Sequence, residues 1–320
     1  MKTDTARILV IGAGVNGSVC AAGLQCAGAN VTVLARRQCY AELSEQGIVI
    51  ENPIKNTRTV TKVPLIPALA PKDVYDYVLV IIRKNQVPDL LPVLALNRSP
   101  NVVFKVNNPS GPDLYTAALG KERVMLGFVF AGGKRDGSVI RAIGRPGDAV
   151  GAPPFGELDG VVTSRLKRLM AIFRQAGFKA KISSHMTDYL ATHAAMVAPL
   201  AGFLMQRGYD PASLKRFSNA DLDLLVDAMR EVLDVLPAVG FHIIPANMVV
   251  LKIIPRFLWV AGLRAMLPSK FMEVGGMYHI SQAPDEMRQL CMELMALIER
   301  SGLPVAVLRK CIINPQMAQV

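Results

Sequence analysis

The segment from residue 7 to residue 28, RILVIGAGVNGSVCAAGLQCAG, constrains the fold more than any other part of the chain. Its apolar run, Ile8 to Ile11, predicts a buried strand of a parallel sheet. A glycine-rich turn follows, then a helical pattern closed by Gly28, and then NVTVLAR, which has the pattern of a second strand. This order of strand, turn, helix and strand predicts a Rossmann-type βαβ unit.

The turn has the spacing G-x-G-x-x-G, in Gly12, Ala13, Gly14, Val15, Asn16 and Gly17. The first glycine permits the tight turn, the second lets the backbone approach a pyrophosphate, and the third allows the helix to pack closely on the strand. The free N–H groups of the helix N-terminus and its dipole attract the phosphates. We therefore expect these six residues to bind a dinucleotide, although a purely structural turn is the alternative.

The end of the second predicted strand indicates which dinucleotide binds. Enzymes that use NAD usually carry an acidic residue there, which holds the ribose 2′-hydroxyl. This chain has Arg36 and Arg37 instead, and no acid before Glu42. Guanidinium groups bind a 2′-phosphate through charge-assisted hydrogen bonds. The sequence thus favours NADP over NAD, and the alternative is a solvated pair of surface arginines.

Two further apolar runs, YVLVII at 77–82 and NVVFKV at 101–106, predict additional parallel strands, and each ends in polar residues. Ligands bind beyond the carboxyl ends of such strands. The polar tips, 83–86 and 107–111, are therefore expected at the binding site. Farther along, Asp136-Gly137 predicts the turn of a β-hairpin.

The pattern changes to helices at about residue 186. Apolar residues at helical spacing predict a helix that Asn219 or Asp221 could cap, and a last long helix that begins at Pro284. The predicted fold class is α/β: an N-terminal Rossmann-type doubly wound sheet followed by an all-helical C-terminal domain. The expected domains are 1–184, which binds NADP, and 185–320, which binds the substrate and forms a dimer.

Composition limits the partners. The net charge of +11 allows nucleic-acid binding, but the basic residues are scattered and aromatic residues make up only 6% of the chain, so an anionic small molecule is the simpler partner. The apolar stretch 243–267 contains Pro245, Lys252, Pro255, Arg256 and Arg264, so we expect buried helices or a homodimer interface rather than a membrane span.

The five cysteines match no metal motif, and no signal peptide precedes the first strand. We therefore expect a cytoplasmic protein without a metal.

In this order, the motifs resemble those of the ketopantoate reductase (2-dehydropantoate 2-reductase) family over nearly the full length. Arg36 falls where that family has its 2′-phosphate arginine. IIRKNQ is similar to the family's K-x-x-Q, with Arg83 in place of lysine and Gln86 retained. NNPSG is similar to Asn-Gly-x-Gly and makes Asn108 the asparagine between cofactor and substrate, although Pro109 replaces the first glycine. Glu286 is similar to the family's active-site glutamate.

The chain departs from the family at the lysine that polarises and protonates the keto oxygen, because residues 182–206 contain no lysine. The expected position falls on Leu190, Ala191, Thr192 or His193, and of these only His193 could donate a proton near neutral pH. The alternative is a histidine that merely fills the core.

The resemblance implies an NADPH-dependent reductase of a small 2-oxo acid or related carbonyl. In that interpretation His193, Asn108 and Glu286 are catalytic, and the substrate is a carboxylate. Two alternatives stay open: an opine-type reductive condensation, and an NADP-binding sensor without catalysis.

Overall fold

The computed structural model describes residues 5–128, 131–148, 152–207 and 217–312. The strands are β1 (Arg7–Ile11), β2 (Asn30–Leu34), β3 (Ile48–Asn52), β4 (Thr57–Thr61), β5 (Leu65–Ile66), β6 (Tyr77–Val80), β7 (Val102–Phe104), β8 (Val124–Gly127), β9 (Gly132–Asp136), β10 (Val139–Ile143), β11 (Pro154–Gly156) and β12 (Lys181–Ile182). The helices are α1 (Val15–Cys26), α2 (Arg37–Gln46), α3 (Val87–Leu96), α4 (Asp113–Leu119), α5 (Ser164–Gln175), α6 (Met186–Gln206), α7 (Asn219–Ala238), α8 (Arg256–Met266), α9 (Lys270–Met272), α10 (Tyr278–Gln282), α11 (Pro284–Ser301) and α12 (Ala306–Cys311).

The chain divides into two compact units. The first unit comprises Met1–Val106 and Pro112–Met186, and the second comprises Asn107–Gly111 and Thr187–Val320. The short segment after β7 therefore groups with the helices, because its contacts lie with residues far along the chain.

The first unit is built on an eight-stranded sheet with the order β12-β11-β8-β7-β6-β1-β2-β5. The strands β5, β2, β1, β6, β7 and β8 run parallel, and β11 pairs antiparallel with β8. The order in which successive strands are added to the sheet reverses between β1 and β6. This switch point creates the crevice where such sheets bind ligands. The predicted Rossmann-type sheet is confirmed.

A second sheet of four strands, with the order β4-β3-β10-β9, also belongs to the first unit. The predicted hairpin is confirmed as the β9–β10 pair, and Gly137 in its turn has a positive φ of 58°. The β3–β4 hairpin was not predicted. Its strand β4 is largely exposed and polar, so it lacks the apolar alternation that marks a strand.

The second unit has a core formed by helices, and the predicted apolar stripes of α7 and α11 are buried. The α7 cap differs from the prediction, because Ser218 rather than Asn219 or Asp221 is the N-cap. The Ser218 hydroxyl accepts a hydrogen bond from the Asp221 N–H at 3.1 Å, and the Asp221 carboxylate accepts one from the Ser218 N–H at 3.1 Å. The two residues thus form a capping box.

The apolar stretch 243–267 forms a short 3₁₀ helix, Ala246–Lys252, and α8, bent by 116° relative to each other. Trp259 and Leu263 are buried, whereas Ile253 and Phe257 are 79% and 70% exposed. The expected burial is therefore only partial. Among the described helices, none is by itself long and apolar enough to span a membrane, and only this bent pair passes that test when taken together.

Candidate functional site

An open cleft of about 800 Å³ lies at the carboxyl ends of β1, β2 and β6 in the first unit. Its lining includes six of the residues that the sequence predicted for cofactor binding: Gly12, Ala13, Gly14, Arg36, Arg83 and Gln86. The polar residues that follow β2 and β6 meet there, whereas none of residues 107–111, including the predicted Asn108, lines the cleft. The cleft is large enough for a nucleotide cofactor.

The glycines of the first turn have the geometry that the motif predicted. Gly12 has a φ of 113°, and a side chain there would overlap the carbonyl oxygen of Ile81. A Cβ atom at Gly17 would overlap the carbonyl oxygen of Gly12, so only glycine lets α1 approach the turn this closely. Gly14 borders open space and is the N-cap of α1, where no side chain caps the free N–H groups. This arrangement suits a pyrophosphate.

The other predicted loop residues do not line the cleft. Val15 and Gly17 lie in the first turn of α1, and Gly17 is buried against the turn. Asn16 lines a different, much smaller cavity of about 40 Å³, together with Cys20 and Lys105. Within the described structure, the Asn16 Oδ1 atom is buried and has no hydrogen-bond partner.

The charges of the cleft favour an anion at the end of β2. Arg36 is exposed on the cleft wall, and its guanidinium forms no hydrogen bond or ion pair with any described residue. Arg37 does not line the cleft. The Glu42 carboxylate does line the cleft, but it forms an ion pair with Arg135. The sequence had not indicated this ion pair. The free positive charge at this end therefore belongs to Arg36.

A cluster of polar side chains lies in the second unit around Glu286, in the first turn of α11. The Glu286 side chain is only 3% exposed. One carboxylate oxygen accepts a hydrogen bond from the Asn107 Nδ2 at 3.3 Å, and the other lies 3.2 Å from the Nε2 of His279. A surface glutamate that merely favours the helix dipole would not be buried in this way. The Asn107 Oδ1 is buried and has no partner among the described residues, so it remains available to a ligand.

His193 lies in α6, and its ring is parallel to that of Tyr189 one helical turn earlier, with centroids 6.5 Å apart. Burial lowers the pKa of His193 to about 4, and the nearby His279 acts in the same direction. Burial also raises the pKa of Tyr189 to about 12. At neutral pH the His193 ring is thus uncharged. The Asp188 carboxylate lies 3.2 Å from the Nδ1 of His242.

Asn108 is buried in the short segment that follows β7. Its Nδ2 donates a hydrogen bond to the carbonyl oxygen of Gly111 at 2.7 Å, which holds the loop closed. Next to it, the Ser110 hydroxyl donates to the Glu293 carboxylate of α11 at 2.7 Å. The second unit therefore brings Asn107, Asn108 and Ser110 together with the start of α11.

Comparisons with known proteins agree with this description. Residues 8–152 match the family described as ketopantoate reductase PanE/ApbA. No curated protein matches the sequence. A PanE/ApbA family ketopantoate reductase from Ralstonia eutropha JMP134 has a similar structure, with a TM-score of 0.75, 18% identity and coverage of 95% of each chain. The chain has the ketopantoate reductase fold.

Two other solved structures with this fold extend the comparison. The 2-dehydropantoate 2-reductase from Methylococcus capsulatus has a TM-score of 0.72 at 22% identity, covering 95% of this chain and 94% of that one. A D-mandelate dehydrogenase, solved with NADH and anilino(oxo)acetate, has a TM-score of 0.73 at 14% identity, covering 95% of each chain. The predicted resemblance to the ketopantoate reductase family is confirmed for residues 8–152, and the solved structures show that the shared fold extends over nearly the whole chain.

Three residues of these two sites had no individual role assigned from the sequence. Arg135 reaches the phosphate loop, where its Nη1 donates to the carbonyl oxygen of Ala13 at 3.1 Å, across a separation of 122 residues. Asn107 and His279 meet Glu286 only after folding. For His279 a weak signal existed, because it precedes Glu286 by seven residues, close to two helical turns. The intervening Pro284 obscured that relation.

Proposed function

We propose that this protein is an NADPH-dependent reductase of a small 2-oxo acid or a related carbonyl compound. The observation that carries the proposal is the cleft of the first unit, which has a suitable size for a dinucleotide. Its lining includes the uncapped N-terminus of α1 and Arg36, which has no ion-pair partner among the described residues. The ketopantoate reductase fold supports the same reaction class.

The residues present fit a dinucleotide. The N–H groups at the start of α1 would bind the pyrophosphate, and Gly14 leaves room for it. Arg36 would bind the 2′-phosphate, and Arg83 and Gln86 would contact the rest of the cofactor. When bound, the reduced nicotinamide supplies a hydride to the carbonyl carbon of the substrate.

The second unit supplies the polar groups that we propose to bind the substrate. Glu286 and Asn107 offer hydrogen-bond acceptors, Asn108 shapes the loop beside them, and His193 borders the cluster. We retain Asn108 and Glu286 as proposed substrate-binding residues, and His193 as a residue of the proposed catalytic site. We further propose that 1–184 and 185–320 act as cofactor and substrate domains, that the protein is a cytoplasmic homodimer, and that its substrate is a carboxylate.

A turnover screen tests the proposal. Purified protein is mixed with NADPH and each of pyruvate, 2-oxoisovalerate, ketopantoate and phenylglyoxylate, and the loss of NADPH absorbance is followed. The same screen is repeated with added amino acids. We expect turnover with at least one 2-oxo acid alone. Turnover only when an amino acid is present would indicate an opine-type condensation, and NADPH binding without any turnover would indicate a sensor.

A further inference from the structure

Among the described residues, the pair formed by His279 and Glu286 has the geometry of a carboxylate that orients an imidazole. The His279 Nε2 lies 3.2 Å from one oxygen of Glu286, and the Asn107 amide fixes the other oxygen at 3.3 Å. The carboxylate is almost fully buried, whereas the imidazole is 34% exposed. A buried acceptor with both oxygens engaged can hold the ring in one orientation and one tautomer.

The backbone before His279 is unusual. Residues Glu273–Met277 form a π-helical turn, which leads directly into α10. Such turns are rare and occur frequently at functional sites, because they displace the following residues around the helix axis. His279, which faces Glu286, follows this turn by two residues. The turn is therefore a second structural feature beside His279.

The second ring nitrogen of His279 is available. Among the residues that the structure describes, its Nδ1 has no hydrogen-bond partner, while Nε2 is used by Glu286. His193, by contrast, is neutral at neutral pH, because burial lowers its pKa to about 4. Of the two rings, His279 is the one that the described contacts place against a buried carboxylate.

We propose that His279, oriented by Glu286, is the proton donor of the reduction and that His193 is a neutral residue that positions the donor. This assignment rests on the proposed reductase function. As the substrate carbon gains the hydride, the electron pair of the C=O π bond moves to the oxygen. The oxygen then takes the Nδ1 proton of His279, leaving a neutral imidazole that still donates from Nε2 to Glu286. Solvent returns the proton, since the ring is partly exposed.

The test compares four glutamine or alanine variants with the parent enzyme. In His279→Gln the amide can still donate to Glu286 but cannot transfer a proton, so we expect turnover with the best 2-oxo acid to fall by about 10²–10⁴-fold. NADPH affinity, measured by fluorescence titration, should stay within twofold of the parent. The matched control is His242→Gln, because His242 also lies 3.2 Å from a carboxylate, that of Asp188, but is 77% exposed. It should keep the parent's turnover.

Chemical rescue separates a proton donor from a structural residue. We expect added imidazole to restore part of the turnover of His279→Ala and none of that of His193→Ala. A second readout does not depend on turnover. When oxamate and NADP⁺ are added, the NMR signals of the His279 ring should shift while those of His242 stay in place.

Each outcome decides between assignments. If His279→Gln retains half or more of the parent's turnover, the donor assignment is overturned and the reductase function stands. If imidazole rescues His193→Ala instead, His193 is the donor. If the parent turns over no 2-oxo acid, the proposed function fails and this assignment fails with it.

Discussion

Arg36 is the residue on which the proposed preference for NADPH depends. Its guanidinium is exposed on the cleft wall and unpaired among the described residues, so no ion pair has to be broken when a phosphate binds. We predict that Arg36→Ala weakens NADPH binding by about 1–3 kcal/mol, the range for hydrogen bonds to charged groups, and leaves NADH binding nearly unchanged. Fluorescence titration with both cofactors measures this difference.

Arg37 provides the control for that experiment. It is exposed and adjacent in sequence, but it does not line the cleft. Arg37→Ala should therefore bind both cofactors like the parent. Equal loss of NADPH affinity in the two variants would indicate a general effect of surface charge, and a parent that prefers NADH would contradict the NADP assignment.

His193 should make the protein sensitive to acid. An unfolded histidine has a pKa of about 6.5, whereas burial lowers that of His193 to about 4. Between these values the unfolded chain binds a proton that the folded protein does not, so the free energy of unfolding falls as the pH drops from about 6.5 to about 4. The loss amounts to at most about 3 kcal/mol at the lower limit.

The measurement is urea unfolding of the parent and of His193→Ala at pH 7 and pH 4.5. The variant starts from a lower stability at pH 7 if packing is lost, but it should lose less on acidification than the parent. An identical fall in both proteins would show that His193 titrates in the same way folded and unfolded.

At the scale of elements, two glycines of the β1–α1 turn are expected to have different roles, Gly17 in folding and Gly14 in cofactor binding. A methyl group at Gly17 would overlap the Gly12 carbonyl, whereas one at Gly14 would meet nothing within 4 Å. We predict that Gly17→Ala lowers the melting temperature and that Gly14→Ala melts like the parent but loses NADPH affinity, because its Cβ points into the space for the pyrophosphate. Thermal melts and titrations of both variants test this. Equal melting temperatures would contradict the close approach of α1.

The strand β7 leads into a buried lysine. The Lys105 Nζ lies 4.6 Å from the ring centroids of both Phe155 and Phe173, and burial lowers its pKa, while Cys20 acts weakly in the opposite direction. The unfolded lysine binds its proton up to a pKa of about 10.4. Above the lowered folded pKa the unfolded state therefore holds more protons, and stability rises with pH.

Lys105→Met removes this dependence while keeping a long side chain in the same space. We predict that the parent gains more stability than the variant between pH 7 and pH 10, by up to about 1.4 kcal/mol per pH unit within the affected range. Urea unfolding across that range measures the two slopes. Parallel slopes would show that Lys105 keeps its proton when buried.

At the scale of the whole molecule, the bent pair formed by Ala246–Lys252 and α8 carries exposed apolar side chains. Ile253, Phe257 and Leu258 are 79%, 70% and 52% exposed. Large apolar side chains that lie next to one another on a surface are unfavourable in water and often mark an interface. We predict that the protein is a homodimer in detergent-free solution and that Phe257→Glu shifts it toward the monomer. Light scattering at several concentrations measures the mass.

Leu96→Glu is the control for the dimer experiment, because Leu96 is also large, apolar and 69% exposed but lies on α3 of the first unit. It should leave the mass unchanged. A parent that is monomeric at every concentration would exclude the dimer, and aggregation that only detergent relieves would point to a membrane surface.

The sequence by itself determined the βαβ unit, the change to helices in the second half, and six of the residues that line the open cleft. These features depend on local patterns: an apolar run forms a buried strand, glycines at fixed spacing form the turn, and apolar residues at helical spacing form a buried stripe. Gly12, Gly14 and Arg36 lie where that reasoning placed them because only a few residues of regular backbone separate them from β1 and β2.

Only the tertiary structure decided which side chains meet. Asn107 and Glu286 are 179 residues apart, and Glu42 reaches Arg135 across 93 residues. Nor could the sequence show that His193 would be neutral, because its pKa depends on burial and on His279 from another helix. Such contacts follow from how helices and strands pack rather than from the order of residues. The periodicity of a chain specifies its elements, but charge and proximity at a site arise only when distant elements come together.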